Sequence, residues 1–308
     1  MAHGGATIAL FDYILSTSGE VALGSEIVTA ALTVKYHRPV PVPELHQLVA
    51  ITTIGPRRSS KVTGQLLDSD GQVLVSGEAV IVKVATSDAA AAAAAGDDGS
   101  ATGSSSGVEV PPMPTTIDDV LHSAAWLERV ERDSLITVDP SNGVPQSKHE
   151  KHYMRGTMSP FHGPENMRLF SAVTADSATA VMLVRFSEGV RNSGGNAHGG
   201  AISAVFDHVL IQSAVLARPG SFVLTASLSV DYLLPVPLGP TIGVVTATTA
   251  VQSSEGGQQQ PRRFEVSGSL CNLAGEVLAT ARASMVDPNI PRRPQGAEKE
   301  TKPAAGRL

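Results

Sequence analysis

The sequence predicts an α+β fold that contains two copies of one unit, each a long buried helix against an antiparallel sheet. Three observations support this prediction. Residues 2–6 read Ala-His-Gly-Gly-Ala, and residues 197–201 read the same. An aspartate follows nine residues after each histidine, at Asp12 and Asp207. A strand-like run that ends in tyrosine, and then a Pro-Val-Pro run, come next in both places. A repeat of this length indicates that a structural unit has been duplicated.

The composition limits the classes of protein that this chain can represent. Its 308 residues are enough for two domains, and 42% of them are hydrophobic, which is typical of a soluble globular protein. A net charge of −6 with only 17% charged residues argues against a nucleic-acid partner, which requires a basic surface. The one cysteine, Cys271, excludes an internal disulfide and a cysteine-rich metal site. We therefore expect no metal and no separate cofactor.

Targeting signals are weak. No apolar run approaches the roughly 20 residues that a membrane helix requires, and the N-terminus does not resemble a signal peptide. We therefore expect a cytoplasmic protein without a membrane span. Residues 306–308 read Gly-Arg-Leu, which is only distantly similar to a peroxisomal ending, so peroxisomal and mitochondrial locations stay open.

The first copy is predicted to span residues 1–85. Its helix, at residues 4–18, is apolar on nearly all sides, as expected for a buried helix. Four strands follow, at residues 28–36, 48–54, 61–67 and 72–84. Alternation in the first of them predicts one inward face, which carries Val28, Ala30, Leu32, Val34 and Tyr36.

The middle of the chain is predicted to be irregular. Residues 86–115 are mostly Ala, Gly, Ser and Asp, a composition that predicts a disordered linker. A helix and an irregular connector are expected over residues 116–165. The histidines of this connector fit no strong metal-ligand motif, so we interpret it as a solvated loop; they are His149, His152 and His162.

The second copy is predicted to span residues 166–287, followed by a polar tail at 288–308. It begins with a hairpin at residues 168–174 and 179–186, and a helix follows at 199–216. Its other strands are expected at residues 222–233, 241–251, 262–272 and 276–286. The first copy has no counterpart of the hairpin. We expect either that these strands are supplied from elsewhere or that the sequence is truncated, and we favour truncation because an uncovered sheet edge is costly.

Each apolar helix contains one aspartate and begins with a glycine pair. Burial removes the hydration of a carboxylate, so such a group is normally paired or used. Free N–H groups and the helix dipole at the glycines can bind an anion or a developing oxyanion. Gly199 and Asp207 lie about 12 Å apart along one helix, too far to contact one substrate carbonyl together. Two antiparallel helices would instead form composite sites, each with the glycine of one copy and the aspartate of the other.

The His-Gly-Gly motif, its aspartate and the following strand with Pro-Val-Pro resemble the hotdog-fold acyl-CoA thioesterases, especially the phenylacetic-acid-pathway and thioesterase-superfamily-member type. The resemblance implies a double hotdog that hydrolyses acyl-CoA. It implies that Asp12 and Asp207 act as general base or nucleophile, and that Gly4 and Gly199 donate to the oxyanion. Asn192, six residues before the second histidine, would orient the thioester or the water. The remaining candidates are His3, His198, Thr29 and Thr225.

The composite arrangement divides these candidates into two unequal sites. One site would hold Asn192, His198 and Gly199 with Asp12 and Thr29. The other would hold His3 and Gly4 with Asp207 and Thr225, and it has no asparagine. We therefore expect the Asp12 site to be the more active. If the true N-terminus lies upstream, a second asparagine there would allow both sites to work. The two threonines fall on the polar face of their strands, so simple exposure to solvent is the alternative interpretation for them.

Two arginine pairs also repeat, Arg57 with Arg58 and Arg262 with Arg263. They could bind the phosphates of coenzyme A, which would be part of the substrate, although solvated surface charge is the alternative. Two other functions stay open: a non-catalytic acyl-CoA-binding or regulatory protein, and an acyl-CoA hydratase or dehydratase that uses His198. The aliphatic helices favour an aliphatic acyl chain, and sheet pairing makes a homodimer plausible.

Overall fold

The computed structural model describes residues 2, 4–42, 44, 46–54, 59–83, 136–137, 167–173, 176–218, 222–239, 242–250 and 263–288. Within these ranges there are two long helices, α1 (Gly4–Leu23) and α2 (Gly199–Ala217), and a 3-10 turn at Glu188–Val190 precedes α2. The strands are β1 (Ile27–Tyr36), β2 (Gln47–Ile54), β3 (Ser59–Leu67), β4 (Val73–Lys83), β5 (Ile136–Thr137), β6 (Met167–Val173), β7 (Ser177–Arg185), β8 (Leu224–Tyr232), β9 (Ile242–Ala250), β10 (Arg263–Cys271) and β11 (Val277–Val286).

The predicted α+β arrangement with two copies is confirmed. Every strand predicted from the sequence is present, and its ends differ from the predicted ends by no more than two residues. Helix α1 continues five residues beyond its predicted end, to Leu23. Strand β5 was not predicted, because two residues carry no periodicity. Apart from β5 and Pro288, the predicted linker, connector and tail lie outside the described residues.

One antiparallel sheet of eleven strands contains both copies, in the order β2-β3-β4-β1-β8-β11-β10-β9-β7-β6-β5. The copies meet where β1 pairs with β8, from Ala31 opposite Asp231 to Lys35 opposite Ser227. Thr33 lies opposite Ser229 at the centre of this pairing, and their hydroxyls are 3.0 Å apart. Since Thr33 and Ser229 occupy equivalent places in the two copies, a local two-fold axis passes between them.

The two helices pack side by side and run antiparallel. A Cβ atom on Gly200 would lie 2.9 Å from the Cα atom of Ala9. That distance is too short for any residue with a side chain, so glycine allows the start of α2 to contact the backbone of α1. The same packing places Gly4 next to Asp207 and Gly199 next to Asp12.

A β-bulge corrects the predicted inward face of β1. The pairing of β1 with β4 skips Ala30, so that Thr29 lies opposite Ile81 and Ala31 lies opposite Val80. An extra residue reverses which side chains point inward. Val28, predicted to be buried, is therefore 45% exposed.

An equivalent bulge interrupts β8. There Thr225 lies opposite Met285 and Ser227 lies opposite Ser284, and Ala226 is skipped. Met285 is fully buried. Thr29 and Thr225 are therefore both turned toward the helices, and the prediction that they lie on a polar face is wrong.

The second copy has a wider sheet than the first. Strands β7 and β6 continue the sheet beyond β9 and pack against α2, as the predicted hairpin required. Val205 and His208 of α2 are consequently 1% and 3% exposed. The equivalent side chains on α1 are those of Leu10 and Tyr13, and they are 44% and 58% exposed to solvent.

Helix α2 is long and apolar enough to cross a membrane, with a mean hydropathy of 1.5 over its most apolar window. The expectation that no apolar run approaches this length is therefore wrong. However, 78% of that window is buried inside the protein, which is typical of a core helix. Length and composition alone are weak evidence for a membrane span.

Candidate active site

The carboxylate of Asp12 is at the centre of the better-defined site. Asp12 is 1% exposed on α1, and its Oδ2 atom accepts a hydrogen bond of 2.6 Å from the backbone N–H of Gly200. The same oxygen lies 2.8 Å from Nδ1 of His198. Its Oδ1 atom is buried and accepts no hydrogen bond within the described part of the chain. One carboxylate oxygen is thus fixed by the start of α2, and the other is left to bind a further donor.

His198 is the N-cap residue of α2. Its extended backbone places Nδ1 3.2 Å from the N–H of Gly200, but Asp12 offers that N–H a nearer acceptor. The hydrogen bond to Asp12 raises the pKa of His198, and this effect outweighs the opposing effect of burial. A proton on Nδ1 of His198 is therefore donated to Asp12, and the two residues form an ion pair when His198 is charged.

Tyr232, at the end of β8, fixes the other side of the same helix start. Its hydroxyl donates to the carbonyl oxygen of Gly199 over 2.9 Å. The Tyr232 hydroxyl also lies 2.6 Å from Oγ of Ser203. Burial, together with the charge of Asp12, raises the pKa of Tyr232 well above its usual range, so the phenol stays protonated.

The Gly199 N–H is a candidate oxyanion donor. Gly199 is the first residue of α2, where backbone N–H groups have no partner within the helix. Within the described residues its N–H makes no hydrogen bond, in contrast to that of Gly200. A Cβ atom on Gly199 would lie 2.9 Å from Oδ2 of Asp12. The donor and the carboxylate are therefore close enough to act on one substrate group.

At the other end of the helix pair, Asp207 meets the start of α1. A Cβ atom on Gly4 would lie 2.9 Å from Oδ2 of Asp207. The hydroxyl of Thr225 donates to Oδ1 of Asp207 over 2.7 Å. Tyr36 donates to the carbonyl of Gly4 over 2.7 Å, as Tyr232 does to Gly199. The two ends thus have the same plan, and the bond from Thr225 to its carboxylate has no described counterpart at Thr29.

Other candidates are placed less favourably. The side-chain oxygen of Asn192 accepts from the N–H of Asn196 over 2.9 Å, so this oxygen stabilises its own loop. Thr29 is half-buried, and within the described residues it makes no hydrogen bond to Asp12. Arg263 is exposed at the start of β10. His3, Arg57, Arg58 and Arg262 lie outside the described residues.

Sequence reasoning missed Tyr36, Tyr232 and Ser203. The tyrosines had a usable signal, because both copies have one at the end of the first strand after the helix. Ser203 had none, since its equivalent in the first copy is Ile8.

A groove of about 500 Å³ lies away from this chemistry, on the outer face of β1–β4. Its lining includes Lys35, Ile51, Gln65 and Glu78, and neither Asp12 nor Asp207 contributes to it. This groove is not the candidate active site, because neither of the two buried carboxylates lines it.

The fold and the paired carboxylate sites define a double hotdog. The profile of the thioesterase superfamily matches residues 1–75 and 194–254, which include both His-Gly-Gly motifs and both aspartates. Both copies are thus similar to the thioesterase superfamily, as the resemblance implied.

Solved structures show the same fold over nearly the whole chain. The TesB protein of Mycobacterium avium subsp. paratuberculosis is 16% identical, with a TM-score of 0.55, and the match covers 93% of this chain and 87% of that one. The acyl-CoA thioesterase II TesB2 of Mycobacterium marinum is 12% identical, with a TM-score of 0.52, and the match covers 94% and 91%. No curated protein sequence matches at a significant level.

Proposed function

We propose that this protein hydrolyses acyl-CoA thioesters at the site formed by Asp12 and the start of α2. The observation that carries the proposal is the juxtaposition of a buried carboxylate from one copy with the helix N-terminus of the other. The superfamily match to both copies supports thioester hydrolysis, and the name of the Mycobacterium marinum protein supports an acyl-CoA substrate.

The chemistry requires one base and one anion-stabilising donor. Asp12 takes a proton from water as the water oxygen attacks the thioester carbonyl carbon. The N–H of Gly199 and the positive end of the α2 dipole stabilise the oxyanion that forms. Collapse of the tetrahedral intermediate breaks the C–S bond, and the thiolate sulfur takes the proton from Asp12. The products are a carboxylic acid and free coenzyme A.

His198 orients the base in this proposal. Its bond to Oδ2, together with that from Gly200, leaves Oδ1 of Asp12 to face the water. Asp207, with Gly4 and Thr225, forms a second site of the same type, and we propose that it is the weaker one.

The primary test is release of free thiol from a panel of acyl-CoAs, from short to long and including phenylacetyl-CoA. Wild type is compared with the double variant Asp12→Asn/Asp207→Asn, which keeps the size of both side chains. We expect turnover by wild type, with a preference for aliphatic chains, and a loss of at least about 10²-fold in the double variant. Acyl-CoA binding without turnover would instead favour the binding-protein alternative, and hydration of an enoyl-CoA would favour the hydratase.

The arginine pairs are tested separately. If they bind coenzyme A phosphates, changing Arg262 and Arg263 to Glu will raise KM and leave kcat nearly unchanged. The same change at Arg57 and Arg58 tests the other copy. An unchanged KM in both variants would assign these residues to the solvated surface.

A further inference from the structure

We propose that Tyr232 is a positioning residue that strengthens the hydrogen bond between Gly200 and Asp12 through the Gly199–Gly200 peptide group. The catalytic importance of that bond rests on the proposed function, but its existence and its dependence on Tyr232 do not.

Tyr232 and Asp12 bind the two sides of one peptide group. The carbonyl oxygen of Gly199 and the N–H of Gly200 belong to the same planar peptide unit. Tyr232 donates to that oxygen over 2.9 Å, and that N–H donates to Oδ2 of Asp12 over 2.6 Å. A donor on the carbonyl side polarises the amide, and this makes its N–H a stronger donor on the other side. Tyr232 therefore acts on Asp12 without contacting its carboxylate.

Ser203 extends this chain by one bond. A phenol has one proton, and Tyr232 uses that proton for Gly199. In the 2.6 Å contact between the two hydroxyls, Ser203 must therefore be the donor and Tyr232 the acceptor. The resulting chain runs from Ser203 through Tyr232 and the peptide to Asp12. The first copy keeps the tyrosine bond, from Tyr36 to Gly4, but has Ile8 in place of the serine.

In the described part of the chain, few other titratable groups face the carboxylate of Asp12 from the elements packed around it. His198 faces it from the start of α2, and Tyr232 faces it from β8. Asp207 lies on α2 at the opposite end of the helix pair, next to Gly4. On the strands that pack against α1, Lys61 and Glu78 pair with each other and are about half exposed. Within the described residues, His198 and the polarised peptide are thus the two partners of the carboxylate.

The test uses selective NMR labelling. Glycine labelled with ¹³C at the carbonyl and with ¹⁵N selects amides that follow another glycine, and the chain has four of these: Gly5, Gly195, Gly200 and Gly257. In Tyr232→Phe we expect the Gly199 carbonyl and Gly200 amide proton signals to move upfield, while the Gly5 signals stay in place. The matched control, Tyr36→Phe, should move the Gly4 and Gly5 signals and leave those of Gly200. Ser203→Ala should move the Gly200 signal in the same direction by less.

Two further readouts separate this role from simple structural support. If Gly200 binds Asp12 less strongly, more carboxylate charge is available to His198, so the pKa of His198 should rise further in Tyr232→Phe. We also expect kcat to fall about two- to fivefold with KM unchanged, since a polarisation effect is a fraction of a charged hydrogen bond.

Three outcomes would overturn the proposal: Gly200 and His198 signals unchanged in a folded Tyr232→Phe, equal Gly200 movement in both tyrosine variants, or a fall in the pKa of His198. A further outcome is that the signals move as expected while wild type releases no thiol from any acyl-CoA. That result would support the hydrogen-bond chain from Tyr232 to Asp12 and contradict the proposed function.

Discussion

The Asp12 end and the Asp207 end of the helix pair have the same plan, yet a described threonine bond to the carboxylate is present only at the Asp207 end. Asp12 bonds to His198 and Gly200 through one oxygen, and its other oxygen has no described partner. Asp207 has one oxygen bonded to Thr225. Equivalent positions in a duplicated chain thus keep their backbone arrangement, while single side-chain bonds, such as that of Thr225, differ between the copies.

The largest difference is expected from the two aspartates themselves. Asp12→Ala should lower kcat by about 10²- to 10⁴-fold, because the proposed base of the more active site is lost. Asp207→Ala should cause a smaller loss. Thiol release under saturating substrate measures both. Equal losses, or a larger loss in Asp207→Ala, would contradict the assignment of Asp12 as the main base.

Adding one methyl group at each helix start gives the next comparison. In Gly199→Ala the new Cβ would lie 2.9 Å from Oδ2 of Asp12, and 3.1 Å from the hydroxyl of Tyr232. This displaces the carboxylate, and we expect about a tenfold or greater loss of kcat, since small displacements of catalytic groups are costly. Gly4→Ala makes the equivalent contact with Asp207 and should cost less activity. Thermal unfolding of both variants checks that each one is folded; the hypothesis fails if Gly4→Ala is the more damaging.

The two threonines test whether the hydrogen bond to the carboxylate is specific to one end. Thr225→Ala removes a donor to Asp207 and should destabilise the protein by about 1.5–3 kcal/mol, as expected for a hydrogen bond to a charged group. Thr29→Ala removes no described bond to Asp12 and should cost less than about 1 kcal/mol. Urea unfolding of both variants gives the two free energies. Equal costs would show that the two threonines are equivalent after all.

The smallest expected effect is a pH dependence at the Asp12 end. The pKa of His198 is raised in the folded protein, so the stability from its bond to Asp12 is fully present below the unfolded pKa and is lost as pH rises through the folded pKa. His198→Gln should therefore destabilise the protein more at about pH 5.5 than at about pH 9. Unfolding of wild type and variant at both pH values measures this difference. A constant difference across this range would mean that His198 acts only as a neutral cap.

The repeat made most of this arrangement predictable. Alternation and turn residues located every described strand except β5. The shared spacing from histidine to aspartate predicted a glycine pair beside the opposite carboxylate. The bulges at Ala30 and Ala226 could not be predicted, because an extra residue in a strand leaves the alternation intact on either side. They depend on the pairing of β1 and β8 with their neighbours, and such pairing is a property of distant segments.

The hydrogen bonds of single side chains were also beyond sequence reasoning. Asn192 was expected near the reacting groups, but the oxygen of its amide bonds to Asn196 in the same loop. Local side-chain bonds of this kind compete with longer contacts, and spacing alone does not show which will form. Tyr232 was visible only as the last residue of a strand, with no sign that its hydroxyl reaches Gly199.

The local two-fold axis between Thr33 and Ser229 has an evolutionary consequence. In an assembly of identical subunits, one substitution changes every copy of a site at once. Here each half is encoded separately, so a mutation at Ser203 has no counterpart at Ile8. One carboxylate can then acquire new partners while the other retains the ancestral set. Covalent union of the halves therefore permits one polypeptide to maintain two sites with different substrate preferences or rates.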